Sequence, residues 1–73
     1  MKIYKNFGGN SNVSEYEAGV DYIIVVFKGS MKSYRYSYKS AGEHNVERMK
    51  ALADAGMGLN SYINRFVKFG YEK

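Results

Sequence analysis

Every residue from Tyr22 to Phe27 (YIIVVF) is β-branched or aromatic, and after Lys28-Gly29 tyrosine recurs at positions 34, 36 and 38. A β-strand turns successive side chains to opposite faces, so tyrosines at period two form a row on one face. The two runs predict a hairpin, Tyr22–Phe27 returning over Met31–Ser37. Lys28-Gly29 is its two-residue loop, because glycine permits the positive φ of primed turns. That loop sets Phe27 against Ser30, Val25 against Lys32, Ile23 against Tyr34 and Asp21 against Tyr36. One face then carries Ile23, Val25, Phe27, Tyr34 and Tyr36; the other carries Tyr22, Ile24, Val26, Met31, Ser33 and Arg35. A slip by one residue would exchange the two sets.

Val13 to Ala18 alternates as a short strand with Tyr16 inward, and Gly19 to Asp21 is a turn. Ser40-Ala41-Gly42-Glu43 fits a capping box for a helix from about Gly42 to Ala55, with Val46, Met49, Leu52 and Ala53 on one stripe. Gly56 stands where left-handed C-caps are common. Leu59, Tyr62, Ile63 and Phe66 fall at i, i+3, i+4, i+7 of a second helix, expected to run to Phe69. Strands grouped before helices indicate an α+β domain: a three-stranded antiparallel sheet followed by two helices on one face (β-β-β-α-α). Its expected core is Ile23, Val25, Phe27, Tyr34, Tyr36, Val46, Met49, Leu52, Ile63 and Phe66. Gly8-Gly9-Asn10-Ser11-Asn12 reads as a linker, so residues 1–12 are expected as a tail and residues 13–73 as the domain. Ile3, Tyr4 and Phe7 give the alternative, an extra docked strand.

The chain has 73 residues, enough for one domain that buries roughly 60% of its unfolded surface. With no cysteine and one histidine, disulfides and structural zinc are not expected. No apolar run nears the ~20 residues of a membrane span and no signal-peptide core is present, so a cytoplasmic setting without membrane partners is expected. The Asn12-Val13-Ser14 sequon is then a chance match. The net charge is +4, and Lys28, Lys32, Arg35 and Lys39 account for all of it; the other seven bases balance the seven acids.

At this level of detail the chain resembles the KTSC domain, a module named for its occurrence at the C-terminus of some lysyl-tRNA synthetases. The likeness covers about Asn12 to Tyr71. It rests on Val25-x-Phe27-Lys28, a glycine turn, the Tyr34-x-Tyr36 pair, an amphipathic helix, and Gly56-x-x-Leu59-Asn60-x-x-Ile63. Two positions depart from the pattern. The family's Val-Pro after the tyrosine pair is missing, for this chain has no proline, and Asp54 stands where serine is common. The resemblance implies the same α+β fold, a bacterial or phage setting, and RNA binding, which has been suggested for a family without an established activity.

Two functions follow as expectations. Lys28, Arg35, Tyr38 and Lys39 offer the charges and aromatic faces with which proteins hold RNA or another single strand, although alternation sends Lys32 and Arg35 to opposite faces. Tyr22, Ile24, Val26 and Met31 would form a contiguous apolar patch on the open sheet face, the mark of a homodimer or protein interface. Tyr34 and Tyr36 are expected to pack beneath the helices, with Lys32 or Asp21 serving their hydroxyls. Catalysis is not expected. His44 lies in the first turn of a helix with no thiol to partner it, and a serine nucleophile needs a base oriented by a third group. Gly56-Met57-Gly58 lacks the spacing of a phosphate loop. No cofactor is implied.

Overall fold

The computed structural model describes residues 1–9, 11–30 and 32–72. Its four-stranded antiparallel sheet has the order β1-β2-β3-β4, from Lys2–Ile3, Val13–Ala18, Tyr22–Phe27 and Ser33–Ser37. Three helices follow: α1 (Tyr38–Ala41), α2 (Glu43–Ala55) and α3 (Leu59–Phe66). The class is α+β, but the sheet has one strand more than the sequence pattern indicates.

The extra strand comes from the first residues. Lys2 and Ile3 pair with Tyr16 and Glu15 on β2. The chain then crosses towards the helices: the Tyr4 N–H donates to the Ser14 carbonyl (3.0 Å), and the Phe7 N–H to the Gly56 carbonyl (2.7 Å). Tyr4 enters the core, and its hydroxyl accepts the N–H of Leu59. Two residues are too few for strand propensity to register, so tertiary contacts decide this element.

The hairpin pairs Val25 with Tyr34 and Ile23 with Tyr36, two residues away from the expected register. A slip by two keeps every side chain on its face, so the face sets survive. The Lys28-Gly29 turn does form, with the Ser30 N–H reaching the Phe27 carbonyl and Gly29 at φ 76°. Pairing resumes only at Val26–Ser33, so the loop is longer than two residues. On β2 the register shifts between Val13 and Glu15. This bulge lets both Val13 and Tyr16 face the core, which strict alternation forbids.

The capping box sits earlier than expected. Ser37 caps α1 and exchanges bonds with Ser40, whereas α2 starts at Gly42 with no side-chain cap. Gly56 does close α2 in the left-handed conformation. A Cβ at Gly56 would lie 2.9 Å from the Lys5 Cβ, so glycine also makes room for the first segment.

The buried residues of α2 and α3 share one cluster with the inward residues of the sheet. Along α3 and its C-cap the row at i, i+4, i+8 (Leu59, Ile63, Val67) is buried. Phe66, expected in the core, is 61% exposed; the helix ends there and Val67 takes the inward place. Phe27, Tyr34 and Leu52 are half-buried at the margin.

Candidate binding surface

The hairpin residues proposed for a nucleic acid do not form one patch. Lys28 is exposed in the turn before β4, and Lys39 is exposed on α1 after it. The five residues of β4 between them span roughly 17 Å at ~3.3 Å each. Arg35 lies on the open face, already engaged: its guanidinium stands 3.9 Å from the Tyr22 ring centroid, and its Nε is 3.2 Å from the Glu72 carboxylate. Tyr38 is half-buried and donates its hydroxyl to Glu47. That bond holds the Tyr38 phenol up at about 12. Glu47 also receives Lys50 at 2.6 Å, and Lys50 followed by Tyr38 holds its carboxyl below the usual range. Lys50 reaches the Gly19 and Val20 carbonyls as well, clamping the β2–β3 turn to α2.

The open face is less apolar than Tyr22, Ile24 and Val26 suggest; Met31 lies outside the described residues. Cross-strand pairing puts Ile24 between Glu17 and Arg35, and Val26 between Glu15 and Ser33. Tyr22 sits under Arg35 and donates its hydroxyl to Glu17 at 3.1 Å. The expected contiguous patch is therefore interrupted by charge on both sides. Sequence alone did not place Glu15 and Glu17 beside β3. The first segment leaves this face uncovered, since it joins the sheet edge and carries Tyr4 into the core.

A different surface gathers the features a single strand requires. The end of α3 and the residues that follow it read Arg65-Phe66-Val67-Lys68-Phe69-Gly70-Tyr71. Val67 points inward and anchors the segment, while Phe66 and Phe69 are 61% and 71% exposed. The Phe66 ring leans on Tyr62, with centroids 4.8 Å apart. A cation stands over each exposed ring: Arg65 is 5.8 Å from the Phe66 centroid, and Lys68 is 5.6 Å from the Phe69 centroid. Arg65 also suits the last turn of α3, where the helix dipole favours a cation.

This segment divides two clefts. One, of about 390 Å³, opens between it and Ser40-Ala41 of α1, and among the described residues no acidic side chain lines it. The other, of about 300 Å³, lies between the segment and the β3–β4 hairpin. Tyr36 and Ile63 are buried at its base, with Phe27, Tyr34 and Tyr71 around them. Tyr34 packs edge-on to Phe27 (5.6 Å between centroids) and to Tyr71 (4.9 Å). Neither Lys32 nor Asp21 serves the tyrosine hydroxyls. Among the described residues those of Tyr34, Tyr36 and Tyr71 make no hydrogen bond. Burial pushes the Tyr36 phenol up to about 12, and the neighbouring Tyr34 and Tyr71 phenols add to the shift.

Helical periodicity places Phe66 in the core and gives Lys68 and Phe69 no role. The alternation of base and aromatic over Arg65–Phe69 was a signal, but which of these rings face outward depends on where α3 ends. His44 is exposed on α2. Among the described residues no group of three or more His, Asp or Glu could hold a metal ion, and no helix is long and apolar enough to cross a membrane. No protein-family model, curated protein or solved structure matches the chain.

Proposed function

We propose that this protein is a non-catalytic, KTSC-like binding module for RNA or another single-stranded nucleic acid, with its contact surface at the end of α3. The observation that carries this is the pair of exposed rings, Phe66 and Phe69, each beside a cation and next to a cleft lined by no acidic side chain among the described residues. Bases stack on exposed aromatic faces for about 1–3 kcal/mol each, whatever their sequence, and lysine and arginine neutralise the backbone. Lys39 adds a third cation, on the same short helix as Ser40 of the cleft wall. The resemblance to the KTSC domain points the same way.

Titration of the isotope-labelled protein with a mixed-sequence single-stranded RNA tests this. Amide shifts should centre on Arg65–Tyr71 and α1, and saturate at physiological salt. Neutralising two or three phosphates predicts a log–log salt slope of about −1.5 to −2. Shifts confined to the Lys28 turn, or none at all, would overturn the proposal. A self-associating module built on the open face is the competing function, and Ile3, 77% exposed beside Glu15, favours it. It predicts a mass above one chain in light scattering and no response to RNA.

A further inference from the structure

The larger of the two clefts has walls from separate elements: Phe66 ends α3, whereas Ser40 and Ala41 belong to α1. One side chain ties them together. Asn45, the third residue of α2, donates its carboxamide N–H to the Ala41 carbonyl at 2.8 Å. Its carboxamide oxygen accepts the Tyr62 hydroxyl at 2.7 Å. The chemistry fixes the amide's orientation. A carbonyl only accepts, so the Asn45 nitrogen faces Ala41, the oxygen faces Tyr62, and the phenol donates. The Tyr62 ring in turn leans on Phe66, tilted by 41° with centroids 4.8 Å apart. A continuous path of contacts thus runs from the α1 wall through Asn45 and Tyr62 to the exposed ring.

Each link has a local cause. Ala41 is the last residue of α1, and the final carbonyls of a helix have no partner within it. The Asn45 amide supplies that partner. Tyr62 precedes Phe66 by four residues on α3, which sets the two rings on one face. A second tie lies at Gly70, which lines the same cleft. A Cβ added there would stand 3.3 Å from the Ala41 Cβ, so the two walls approach closely at this point. Neither Asn45 nor Tyr62 is itself part of the cleft wall.

Resting on the single-strand function proposed above, we infer that Asn45 is a positioning residue of the RNA surface. It touches no part of the strand, but holds the Phe66 ring and the α1 wall at the separation that a bound strand meets. Groups set in place beforehand lose less freedom on binding, which strengthens affinity without adding a contact. Stacking on Phe66 does not depend on salt, whereas the contacts of Lys39, Arg65 and Lys68 with phosphates do. Asn45 therefore acts on the part of the affinity that salt leaves alone.

Fluorescence anisotropy with a labelled, mixed-sequence octaribonucleotide tests the inference, well below the melting midpoint of every variant. Tyr62→Phe keeps the ring but cuts its tie to Asn45. It should weaken binding about threefold to tenfold, the cost of ordering one freed side chain. Asn45→Ala should do the same, and the double variant should lose no more than Asn45→Ala alone, because both changes break one path. The factor should be equal at low and physiological salt. Tyr4→Phe is the control: it removes a phenol hydroxyl bonded to the other end of α3, and should lower the melting midpoint with affinity unchanged. Wild-type affinity in Asn45→Ala and Tyr62→Phe would overturn the positioning role. So would losses that add in the double variant, losses that vanish at physiological salt, or an equal loss in Tyr4→Phe, which would trace the effect to stability. If Phe66→Ala still weakened binding in those cases, the RNA function would stand without Asn45. Failure of the wild-type protein to bind would remove the function and the inference together.

Discussion

The hydroxyl of Tyr4 accepts the backbone N–H of Leu59 at 3.3 Å, so a residue of the first segment completes the start of α3. α3 has no side-chain cap of its own, because its N-cap is Gly58. Tyr4 is also 3% exposed within the core. Tyr4→Phe should cost about 1 kcal/mol, the ordinary net value of one hydrogen bond. Tyr4→Ala should cost about 3–5 kcal/mol through the cavity, much of the total stability of so small a domain. Urea melts of the two variants check this. Equal, negligible effects would mean that residues 1–7 are a dispensable tail.

The two faces of α3 should respond oppositely to truncation. Ile63 is 3% exposed and Phe66 is 61% exposed. Ile63→Ala should lower stability by about 2–5 kcal/mol. Phe66→Ala should stay within about 0.5 kcal/mol of wild type while weakening RNA binding. Melting curves paired with the anisotropy assay separate the effects; a Phe66→Ala variant that unfolds would return that ring to the core.

Stability should fall on the alkaline side. The Tyr36 and Tyr38 phenols have folded values of about 12 against 10.0 for the free side chain. A raised value means that the folded state holds the proton more tightly. The contribution is thus complete below about pH 10 and is lost as pH climbs from there towards about 12. Phenolate absorbance should show two tyrosines ionising late, and Tyr38→Phe should remove one of them. Glu47 acts in the opposite sense. Its lowered value gives stability that is present above the normal carboxylate range and lost as pH falls through the folded value. Glu47→Gln should flatten that acid limb.

Arg35 should matter little to RNA. Its guanidinium lies on Tyr22 and pairs with Glu72, and both partners of the pair are nearly half exposed. Arg35→Ala should cost no more than about 1 kcal/mol and leave the RNA titration unchanged. A large loss of affinity would shift the contact surface back to the hairpin.

Gly56 meets two demands at once. Its φ is 77°, and an added Cβ would come within 3.0 Å of the Phe7 ring. Gly56→Ala should cost at least about 1–2 kcal/mol from the left-handed backbone alone. Gly29, at φ 76° with nothing within 4 Å, should show only the backbone cost when changed to alanine. The difference between the two variants, read from denaturant midpoints, reports the packing of the first segment against α2.

The sequence by itself determined those features that depend on neighbours a few positions away. Period two over Tyr22–Phe27 and Tyr34–Tyr36 assigned each side chain to a face, and the faces withstood a two-residue error in register because alternation repeats every two. The 3.6 period identified α2 and α3, and Gly56 marked the end of α2 because left-handed backbone favours glycine. Tertiary structure decided what local pattern leaves open. Lys2–Ile3 became a strand only because β2 offered an edge. Ser37 rather than Ser40 became the cap because the chain turned into α1 straight from β4. Phe66 went outward because α3 stopped and Val67 filled the inward place, which moved the exposed aromatic and basic residues away from the hairpin. The three tyrosine hydroxyls of the cleft belong to Tyr34, Tyr36 and Tyr71, and only the return of the last residues against β4, through the Glu72 N–H to the Arg35 carbonyl, brought them together.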